Sequence, residues 1–307
     1  MVPRKAVLPV GGWGTRFLPA TKAVPKAMFP IMNKPIIHYI VDEAIAAGIK
    51  QIIFVITPNN RAIEEYFSPR LDLEIFLEQR NKRDSIDELR KICNLVCFST
   101  TPARPRGQLQ GLGIGVLNAK LLVGQEPFVV LLPNDILETK IPCMESLMGI
   151  YCALKCPVLA VHRVHLDRLC TYGNVGVKSL DEVTLSNLPE GPYIRERVWE
   201  VTKLIQKPDP RKQEHLSDLA IVGRFILPAD IFPILENVPP GYEGEVQLID
   251  ALEELRQNGQ RIYAYEFEGR YFDTRSELGY VEAVLNEAAK RPDVWKAIYG
   301  MVLSRGG

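Results

Sequence analysis

The chain has 307 residues, of which 47% are hydrophobic and 24% charged, with 37 basic and 37 acidic side chains. This length and composition are typical of a globular protein with one large domain or two. A formal net charge of zero means that there is no basic excess, so we expect neither nucleic acid nor an anionic membrane as a partner.

The six cysteines favour free thiols over a metal site or a disulfide framework. No two of them stand in Cys-x-x-Cys spacing and there are only four histidines, which disfavours zinc. The sequence shows neither a signal peptide nor an apolar run long enough to cross a bilayer. We therefore expect a cytoplasmic location with reduced cysteines.

Strand-like and helix-like segments alternate along the chain. In chain order they are a strand at Lys5–Val10, a helix at Pro35–Ala47, a strand at Gln51–Thr57, helices at Arg61–Phe67 and Leu71–Cys93, a strand at Leu95–Thr100, a helix at Gly113–Leu121, strands at Phe128–Leu132 and Pro157–Val164, short strands with turns over 171–227, helices at Pro228–Val238 and Glu245–Asn258, a strand at Arg261–Glu268 and a helix at Ser276–Ala289. This order predicts an α/β fold around a mostly parallel sheet. The fully apolar strand Phe128–Leu132 is expected near the centre of that sheet.

The segment after the first strand has the composition of a phosphate-binding loop. Gly11, Gly12 and Gly14 leave backbone N–H groups uncovered and allow close approach of a phosphate. Three cations follow within twelve residues: Arg16, Lys22 and Lys26. The spacing matches neither the Gly-x-Gly-x-x-Gly of dinucleotide folds nor a P-loop. We infer a site for a phosphate-rich ligand; the alternative is an ordinary strand-to-loop turn with solvated cations.

A second candidate site follows the predicted central strand, at Pro133, Asn134 and Asp135. Ligands of open α/β sheets bind at the carboxyl ends of the strands, so this segment and the glycine loop should share one edge. Magnesium prefers oxygen ligands and is often held by one or two carboxylates together with substrate phosphates. Asp135 is therefore a candidate magnesium ligand; the alternative is the cap of a helix or turn.

Residues 12–28, Gly-x-Gly-Thr-Arg-Phe-Leu-Pro-Ala-Thr-Lys-Ala-x-Pro-Lys-x-Met, resemble the signature of sugar-nucleotide pyrophosphorylases. The pattern is closest to bacterial UTP–glucose-1-phosphate uridylyltransferases and extends over nearly the whole chain. Further matches are Gly111-Leu112-Gly113, Leu131-Leu132-Pro133-x-Asp135-Ile136, Tyr172-Gly173-x-Val175, Lys207-Pro208, Ile221-Val222-Gly223-Arg224 and Asp273 with Leu278-Gly279-Tyr280. The segment from Leu73 to Cys93 resembles this branch rather than the thymidylyltransferase relatives.

The resemblance implies a Rossmann-like fold of the nucleotide-diphospho-sugar transferase type, with a mixed, mostly parallel sheet flanked by helices. It implies one domain over residues 1–290, with a nucleotide-binding part at about 1–140 and a sugar-binding part at about 141–275. A C-terminal helix or tail would occupy residues 291–307. A homo-oligomer is expected, and the segment with Trp295, Ile298 and Tyr299 forms either its interface or a contact with its own domain.

The implied reaction joins UTP and glucose 1-phosphate into UDP-glucose and pyrophosphate, with Mg²⁺ as cofactor. The sugar phosphate attacks the α-phosphorus in line, so that catalysis rests on positioning and charge neutralisation. The implied catalytic residues are Arg16, Lys26 and Lys207. The implied nucleotide-binding residues are Gly11, Gly12, Gly14, Thr15, Arg106, Gln108 and Gly111. The implied sugar-binding residues are Gly173, Gln206 and Gly223, and the implied metal ligands are Asn134, Asp135 and Asp273.

Five positions depart from the family's pattern at its functional sites, and two of them are Ile114, in place of a His, and Ala27, in place of a Glu. Asn134 stands where the family has a metal-binding Asp, and Gln206 where it has a Glu that accepts from sugar hydroxyls. Arg106 stands where a uracil-binding Gln is expected, unless Gln108 takes that role. Asp135 can replace the lost carboxylate only if the preceding strand has already ended, because neighbouring strand residues point to opposite faces.

These departures leave three hypotheses open. The first is an active uridylyltransferase with an altered site, which the preserved Arg16, Lys26, Lys207 and Asp273 favour. The second is a catalytically weakened regulatory paralogue that still binds nucleotide or nucleotide-sugar. The third is a transferase for another nucleotide, since the side chain of Arg106 pairs well with guanine.

Overall fold

The structure is a computed structural model and describes residues 1–57, 60–189, 194–209 and 216–305. The strands are β1 (Lys5–Pro9), β2 (Pro30–Ile31), β3 (Lys34–Pro35), β4 (Gln51–Ile56), β5 (Cys97–Pro102), β6 (Phe128–Leu131), β7 (Asp135–Thr139), β8 (Val158–Arg163), β9 (Gly173–Lys178), β10 (Val198–Gln206), β11 (Leu219–Leu227), β12 (Tyr263–Glu266) and β13 (Gly269–Asp273). The α-helices are α1 (Ile36–Ala46), α2 (Arg61–Phe67), α3 (Leu71–Glu78), α4 (Arg83–Cys93), α5 (Leu112–Leu117), α6 (Lys120–Val123), α7 (Cys143–Leu154), α8 (Glu182–Asn187), α9 (Ile231–Asn237), α10 (Leu248–Gln257), α11 (Glu277–Ala289) and α12 (Pro292–Arg305).

One nine-stranded sheet, ordered β5-β4-β1-β6-β11-β8-β12-β10-β9, forms the centre of the molecule. Strands β5, β4, β1 and β6 pair in parallel. Among the described strands of this sheet, β10 and β11 run against the other seven. The prediction of a mixed, mostly parallel sheet is therefore confirmed, and β6 is an interior strand as its apolar sequence predicted.

The two faces of the sheet carry separate hydrophobic clusters because strand side chains alternate between faces. Leu8 and Phe54 pack with the α1 residue Ile40 on one face. Their neighbours Val7 and Ile53 belong to the cluster on the other face, which α10 and other helices cover. The sheet is thus buried on both sides, and its strand ends are where polar side chains can gather.

Three predicted segments differ from the structure in their extent. The helix predicted over 71–93 is two helices, α3 and α4, separated by a turn in which Asn81 has a left-handed φ of 55°. The helix predicted over 113–121 breaks into α5 and α6 at Asn118, where the backbone carbonyl accepts from the Thr101 hydroxyl at 3.2 Å. The short strands predicted over 171–227 include the nine-residue strands β10 and β11.

Two smaller features complete the fold. Strands β7 and β13 form a separate antiparallel pair in which Asp273 stands opposite Asp135. Helix α12 ends the described chain, with Trp295 40% and Tyr299 57% exposed.

All six cysteines are free thiols. Within the described residues, no helix has the length and apolar character needed to span a membrane.

Candidate functional site

A cavity of about 260 Å³ opens beyond the carboxyl end of β1. Two short 3₁₀ turns, at Thr15–Phe17 and Lys26–Met28, contribute to its wall, and a third turn at Ala20–Lys22 lies between them in the chain. Gly14 has a φ of 62°, and a Cβ there would lie 3.0 Å from the Thr21 side chain. The Thr21 hydroxyl donates to the Gly14 carbonyl at 2.9 Å. The glycine is therefore required both for backbone conformation and for close packing of this loop.

The cavity brings together most of the predicted phosphate-binding residues. Its lining includes Gly12, Gly14, Thr15, Arg16, Lys26, Asn134 and Arg275. Gly11 lies between Val10 and Gly12, which both line the cavity, and a Cβ on Gly11 would approach the Ala103 Cβ to 2.9 Å. The described lining of the cavity does not include Lys22, which lies exposed on the same segment.

Lys26 is the most buried cation of the cavity, with only 9% of its surface exposed. Its Nζ donates to Asn134 Oδ1 at 3.0 Å. Burial has the largest influence and lowers the pKa of Lys26 to about 8; Asp273 opposes this shift, and Arg275 adds to it. The protein thus offsets only part of the cost of burying this positive charge, and an anionic ligand would stabilise the charge further.

Asp135 lies beside the cavity but faces the protein interior. Strand β6 ends at Leu131, so the alternation of its side chains between the two faces no longer determines where Asp135 points. Its carboxylate is 4% exposed and accepts from the Gly223 N–H and the Tyr271 hydroxyl, both at 2.8 Å. Both oxygens of Asp135 are therefore already bonded within the protein.

Asp273 lies across the β7–β13 pair from Asp135 and forms a two-pronged ion pair with Arg275. Arg275 Nε donates to Oδ1 at 2.7 Å and Nη2 to Oδ2 at 2.9 Å, while the Tyr172 hydroxyl donates to Oδ2 at 3.1 Å. Burial disfavours the charged carboxylate, yet the hydrogen bonds and charge of Arg275 outweigh it and hold the pKa of Asp273 below its usual value.

The three predicted magnesium ligands, as arranged, do not fit a metal ion held by the protein. The amide oxygen of Asn134 accepts from Lys26, the carboxylate of Asp273 is covered by Arg275, and that of Asp135 faces inward. In the part of the chain that the structure describes, no cluster of three His, Cys, Asp or Glu side chains could hold a metal. Lys26 and Arg275 instead donate hydrogen bonds to the side-chain oxygens of Asn134 and Asp273.

A buried ion pair between Arg224 and Glu43 lies next to Asp135 at this edge of the sheet. Arg224 of β11 is fully buried and donates to Glu43 Oε2 at 2.8 and 3.0 Å and to the Asp135 carbonyl at 2.7 Å. A Cβ on the neighbouring Gly223 would lie 2.5 Å from Asp135 Oδ2. The structure therefore gives Gly223 a packing requirement, and its sugar-binding role remains a prediction.

Two of the three predicted sugar-binding residues, Gly173 and Gln206, lie on the paired strands β9 and β10, whereas Gly223 lies on β11. Gly173 stands opposite Gln206 in the register of these strands, and the Gln206 amide donates to Gln247 Oε1 at 3.3 Å. Lys207 follows with a left-handed φ of 46°, and its Nζ lies 4.4 Å from the Tyr242 ring centroid. The described lining of the phosphate cavity contains none of these side chains.

Tyr172 connects the two parts of the site. Its carbonyl accepts from the Lys207 N–H at 3.1 Å, while its hydroxyl donates to Asp273. The aromatic ring also lies 4.9 Å from the Arg275 guanidinium. One residue therefore links the candidate sugar-phosphate lysine to the carboxylate at the edge of the phosphate cavity.

The segment predicted to bind the base forms a tight hairpin beside the glycine loop. Arg106 and Leu109 exchange backbone hydrogen bonds at 3.0 Å, which leaves Gln108 exposed at the tip. The Arg106 guanidinium donates to the Glu236 carbonyl. Gly111 has a φ of 115°, and a Cβ there would lie 2.6 Å from the Val246 carbonyl oxygen. The contact of Arg106 or Gln108 with the base remains a prediction.

Sequence analysis missed Arg275, Tyr271 and Tyr172 as members of the site. A signal was present for Arg275, since an arginine two residues after a predicted metal ligand is a candidate partner for it. Tyr271 stands two residues before Asp273, on the same face of β13, and could have been found by strand periodicity. The role of Tyr172 depends on a contact across 101 residues, which no local pattern predicts.

Comparisons with known proteins cover nearly the whole chain. The nucleotidyl transferase family model matches residues 5–292. The UTP–glucose-1-phosphate uridylyltransferase 1 of Staphylococcus saprophyticus is 38% identical over 301 residues, which cover 98% of each chain. The corresponding Streptococcus pneumoniae protein is 37% identical over 295 residues, which cover 95% of this chain and 92% of the relative.

Solved structures give the same relationship. A UTP-bound UDP-glucose pyrophosphorylase from Acinetobacter baumannii superposes with a TM-score of 0.83 at 34% identity, covering 99% of this chain and 100% of the relative. A UDP-glucose pyrophosphorylase complexed with UDP-glucose superposes with a TM-score of 0.80 at 33% identity, covering 95% and 100%. The resemblance found in the sequence motifs is confirmed by these comparisons.

Proposed function

We propose that the chain, which belongs to the nucleotidyl transferase family, is an active UTP–glucose-1-phosphate uridylyltransferase. The observation that carries this proposal is the cavity where Arg16, Lys26 and Arg275 meet the glycine loop. Relatives that are 35–38% identical over nearly the full length bear the name of this activity. A positively charged cavity at the carboxyl end of a strand suits a triphosphate.

The triphosphate of UTP would occupy this cavity. Backbone N–H groups of the glycine loop and the Thr15 hydroxyl supply hydrogen bonds, and Arg16 binds the oxygens of the leaving pyrophosphate. Lys26 binds the phosphates from the buried side, where low dielectric strengthens its attraction for them. The uracil ring would lie against the hairpin 106–111, with Gln108 or Arg106 contacting its edge.

Glucose 1-phosphate would enter from the β9–β10 end of the sheet. Lys207 lies beside Tyr172, the residue that reaches Asp273, and would pair with the sugar phosphate. Gln206 and the backbone at Gly173 and Gly223 would contact the sugar. We assign residues 1–140 to nucleotide binding and 141–275 to sugar binding, within one domain that ends near residue 290.

The chemistry needs no covalent intermediate with the protein. A phosphate oxygen of glucose 1-phosphate attacks the α-phosphorus of UTP and forms the new P–O bond, while the bond to the β-phosphate oxygen breaks and pyrophosphate leaves with that electron pair. Arg16, Lys26 and Lys207 hold the reactants in line and neutralise charge as it moves to the leaving group.

Magnesium, the oligomeric state and the location are separate proposals. Mg²⁺ would reach the site on the phosphates of UTP, since the predicted protein ligands are bonded to other groups, and no step above depends on it. A homo-oligomer and a cytoplasmic location remain predictions, and α12 forms either the interface of that oligomer or a contact with its own domain.

Release of pyrophosphate by the purified protein tests the proposed activity. UTP with glucose 1-phosphate should give pyrophosphate in the presence of Mg²⁺, whereas GTP and dTTP should give at least tenfold less. Turnover with GTP in place of UTP would assign the base contact to Arg106 and overturn the uridylyl specificity. No turnover with any nucleotide, from protein that still binds UTP, would contradict the proposed activity.

A further inference from the structure

Arg275 brings a positive charge into the phosphate cavity from the turn that follows β13. Its side chain is 29% exposed, while that of its partner Asp273 is 11% exposed. It lines the same cavity as Arg16, Lys26 and Asn134. The ion pair therefore belongs to the candidate site rather than to the outer surface.

The charge of this guanidinium is held in place by its surroundings. Burial works against it, but Asp135, the hydrogen bonds to Asp273 and the charge of Asp273 raise the pKa of Arg275 above its usual value. Three cations, Arg16, Lys26 and Arg275, line the cavity, whereas the two nearby carboxylates, Asp135 and Asp273, lie outside its described lining. The cavity keeps an excess of positive charge before any ligand or metal binds.

The geometry of the pair leaves part of the guanidinium available. Nε and Nη2 are bonded to Asp273, and Nη2 also lies 3.5 Å from the Tyr271 hydroxyl. Within the described residues, the two N–H groups of Nη1 have no protein acceptor. Unpaired donors on a largely buried, charged side chain are costly unless a ligand or water accepts from them, and phosphate oxygens are suited to that role.

A metal ion at Asp273 would have to displace this arginine. The guanidinium covers both carboxylate oxygens side-on, which are the atoms that a divalent ion would bind. The other candidate ligand at this edge is the amide of Asn134, which is neutral. It therefore adds no attraction for a metal ion that would offset the repulsion from the Lys26 ammonium. The donor set therefore favours a resident arginine over a resident metal.

We propose that Arg275 takes the place of a protein-bound divalent ion: it binds the nucleotide phosphates through Nη1 while Asp273 holds it, so that UTP binding depends little on a metal. The inference rests on the proposed function, because it takes the triphosphate of UTP as the anion. It makes Arg275 a phosphate-binding residue of the site, along with Arg16 and Lys26.

Calorimetric titration of UTP, in Mg²⁺ and in excess EDTA, tests this proposal directly. In the wild type, EDTA should raise the Kd of UTP by less than about tenfold. In Arg275→Gln, the Kd measured in EDTA should be at least tenfold above that of the wild type, and Mg²⁺ should restore most of the affinity. Arg270→Gln is the matched control, because Arg270 lies on β13 but outside the lining of the cavity, and it should behave as the wild type.

Binding of Mn²⁺ without nucleotide, followed by electron paramagnetic resonance, gives a second readout that misfolding cannot imitate. Arg275→Gln frees the carboxylate of Asp273, so it should bind Mn²⁺ at least tenfold more tightly than the wild type. Equal Mn²⁺ affinity, together with the same effect of EDTA on UTP binding in both proteins, would overturn the role of Arg275. Absence of UTP binding in Mg²⁺ as well as in EDTA would instead contradict the proposed function, and the inference with it.

Discussion

The nucleotide end and the sugar end of the candidate site differ in how far their polar groups are already paired. At the nucleotide end, Arg16 is exposed and Arg275 keeps two N–H groups without a protein acceptor among the described residues. At the sugar end, the Gln206 amide is bonded to Gln247 and the Lys207 ammonium lies over the Tyr242 ring. The nucleotide end therefore keeps cationic groups available for an anion, while the polar groups of the sugar end already contact other side chains of the protein.

This difference indicates where affinity and selectivity arise. A nucleotide can enter the phosphate cavity with little loss of protein contacts, so its charge interactions appear directly in the binding free energy. A sugar phosphate must exchange the contacts of Gln206 and Lys207 for its own, and only a ligand that restores their hydrogen bonds gains from doing so. Substitutions of Arg16, Lys207 and Gln206, and the pH dependence that Lys26 gives to UTP binding, should reveal this division.

Arg16→Ala should be the most damaging change. The residue is assigned to the leaving pyrophosphate, where charge accumulates in the transition state, and loss of one such donor costs about 10²–10³ in rate, or ~2.7–4 kcal/mol. Steady-state kinetics of UDP-glucose formation measures it. Lys22→Ala removes a cation from the same segment but outside the cavity lining and should change the rate by less than about twofold. A similar loss of rate in both variants would mean that the total positive charge of this segment, and not the position of Arg16 in the cavity, determines the rate.

Lys207→Gln should act on the sugar substrate alone. Loss of a charged hydrogen bond worth ~1.5–3 kcal/mol should raise the KM for glucose 1-phosphate by about tenfold to a hundredfold. The Kd of UTP, measured by calorimetry, should stay the same. Lys203→Gln, at an exposed position of the preceding strand β10, serves as the control. An equal loss of UTP affinity in Lys207→Gln would abolish the distinction between the two ends.

UTP binding should weaken as the pH rises through the pKa of Lys26, which is about 8. Below that value the lysine is charged before UTP arrives, whereas above it the free protein must take up a proton to bind. The Kd of UTP should therefore rise by up to about tenfold per pH unit above pH 8. Lys26→Arg stays charged throughout and should show a flat profile. A flat profile in the wild type would show that burial does not shift this lysine.

Gln206→Glu should have the smallest effect, and it should be favourable. A carboxylate accepts from sugar hydroxyls more strongly than an amide oxygen does, so the KM for glucose 1-phosphate should fall by about threefold to tenfold. In the free protein the Gln247 amide must flip to donate to the new carboxylate, because its Oε1 faces Gln206 while its Nε2 donates to the Tyr242 carbonyl and to Glu245. Gln79→Glu adds the same charge at an exposed position outside the site and should leave the KM unchanged. A rise in KM in Gln206→Glu would show that the amide's own donor contacts the sugar.

Much of the fold could be predicted from the sequence because local signals agree with tertiary structure. The strands β1, β4 and β6 are short apolar runs bounded by turn residues, and β6 proved to be interior. Strand β11 was harder, because it contains Gly223 and Arg224 in its middle. A buried arginine interrupts the apolar pattern, and its partners, the Glu43 carboxylate and the Asp135 carbonyl, lie 181 and 89 residues away in the chain.

The site was predictable where one segment carries it and not where distant segments meet. The loop from Gly11 to Lys26 was found from its glycines and cations, and the structure brings most of it around one cavity. The pairing of Lys26 with Asn134, and of Tyr172 with Asp273, joins residues more than a hundred positions apart. Local spacing cannot predict such contacts, and they decide which oxygen atoms remain available to a metal.

The central claim is that this chain transfers the uridylyl group of UTP to glucose 1-phosphate. Phosphorus NMR of one sample containing the purified protein, UTP, glucose 1-phosphate and Mg²⁺ tests it most directly. The account predicts that UDP-glucose and pyrophosphate signals grow in equal amounts, and that added pyrophosphate converts UDP-glucose back to UTP. Unchanged substrate signals from protein that binds UTP would contradict it.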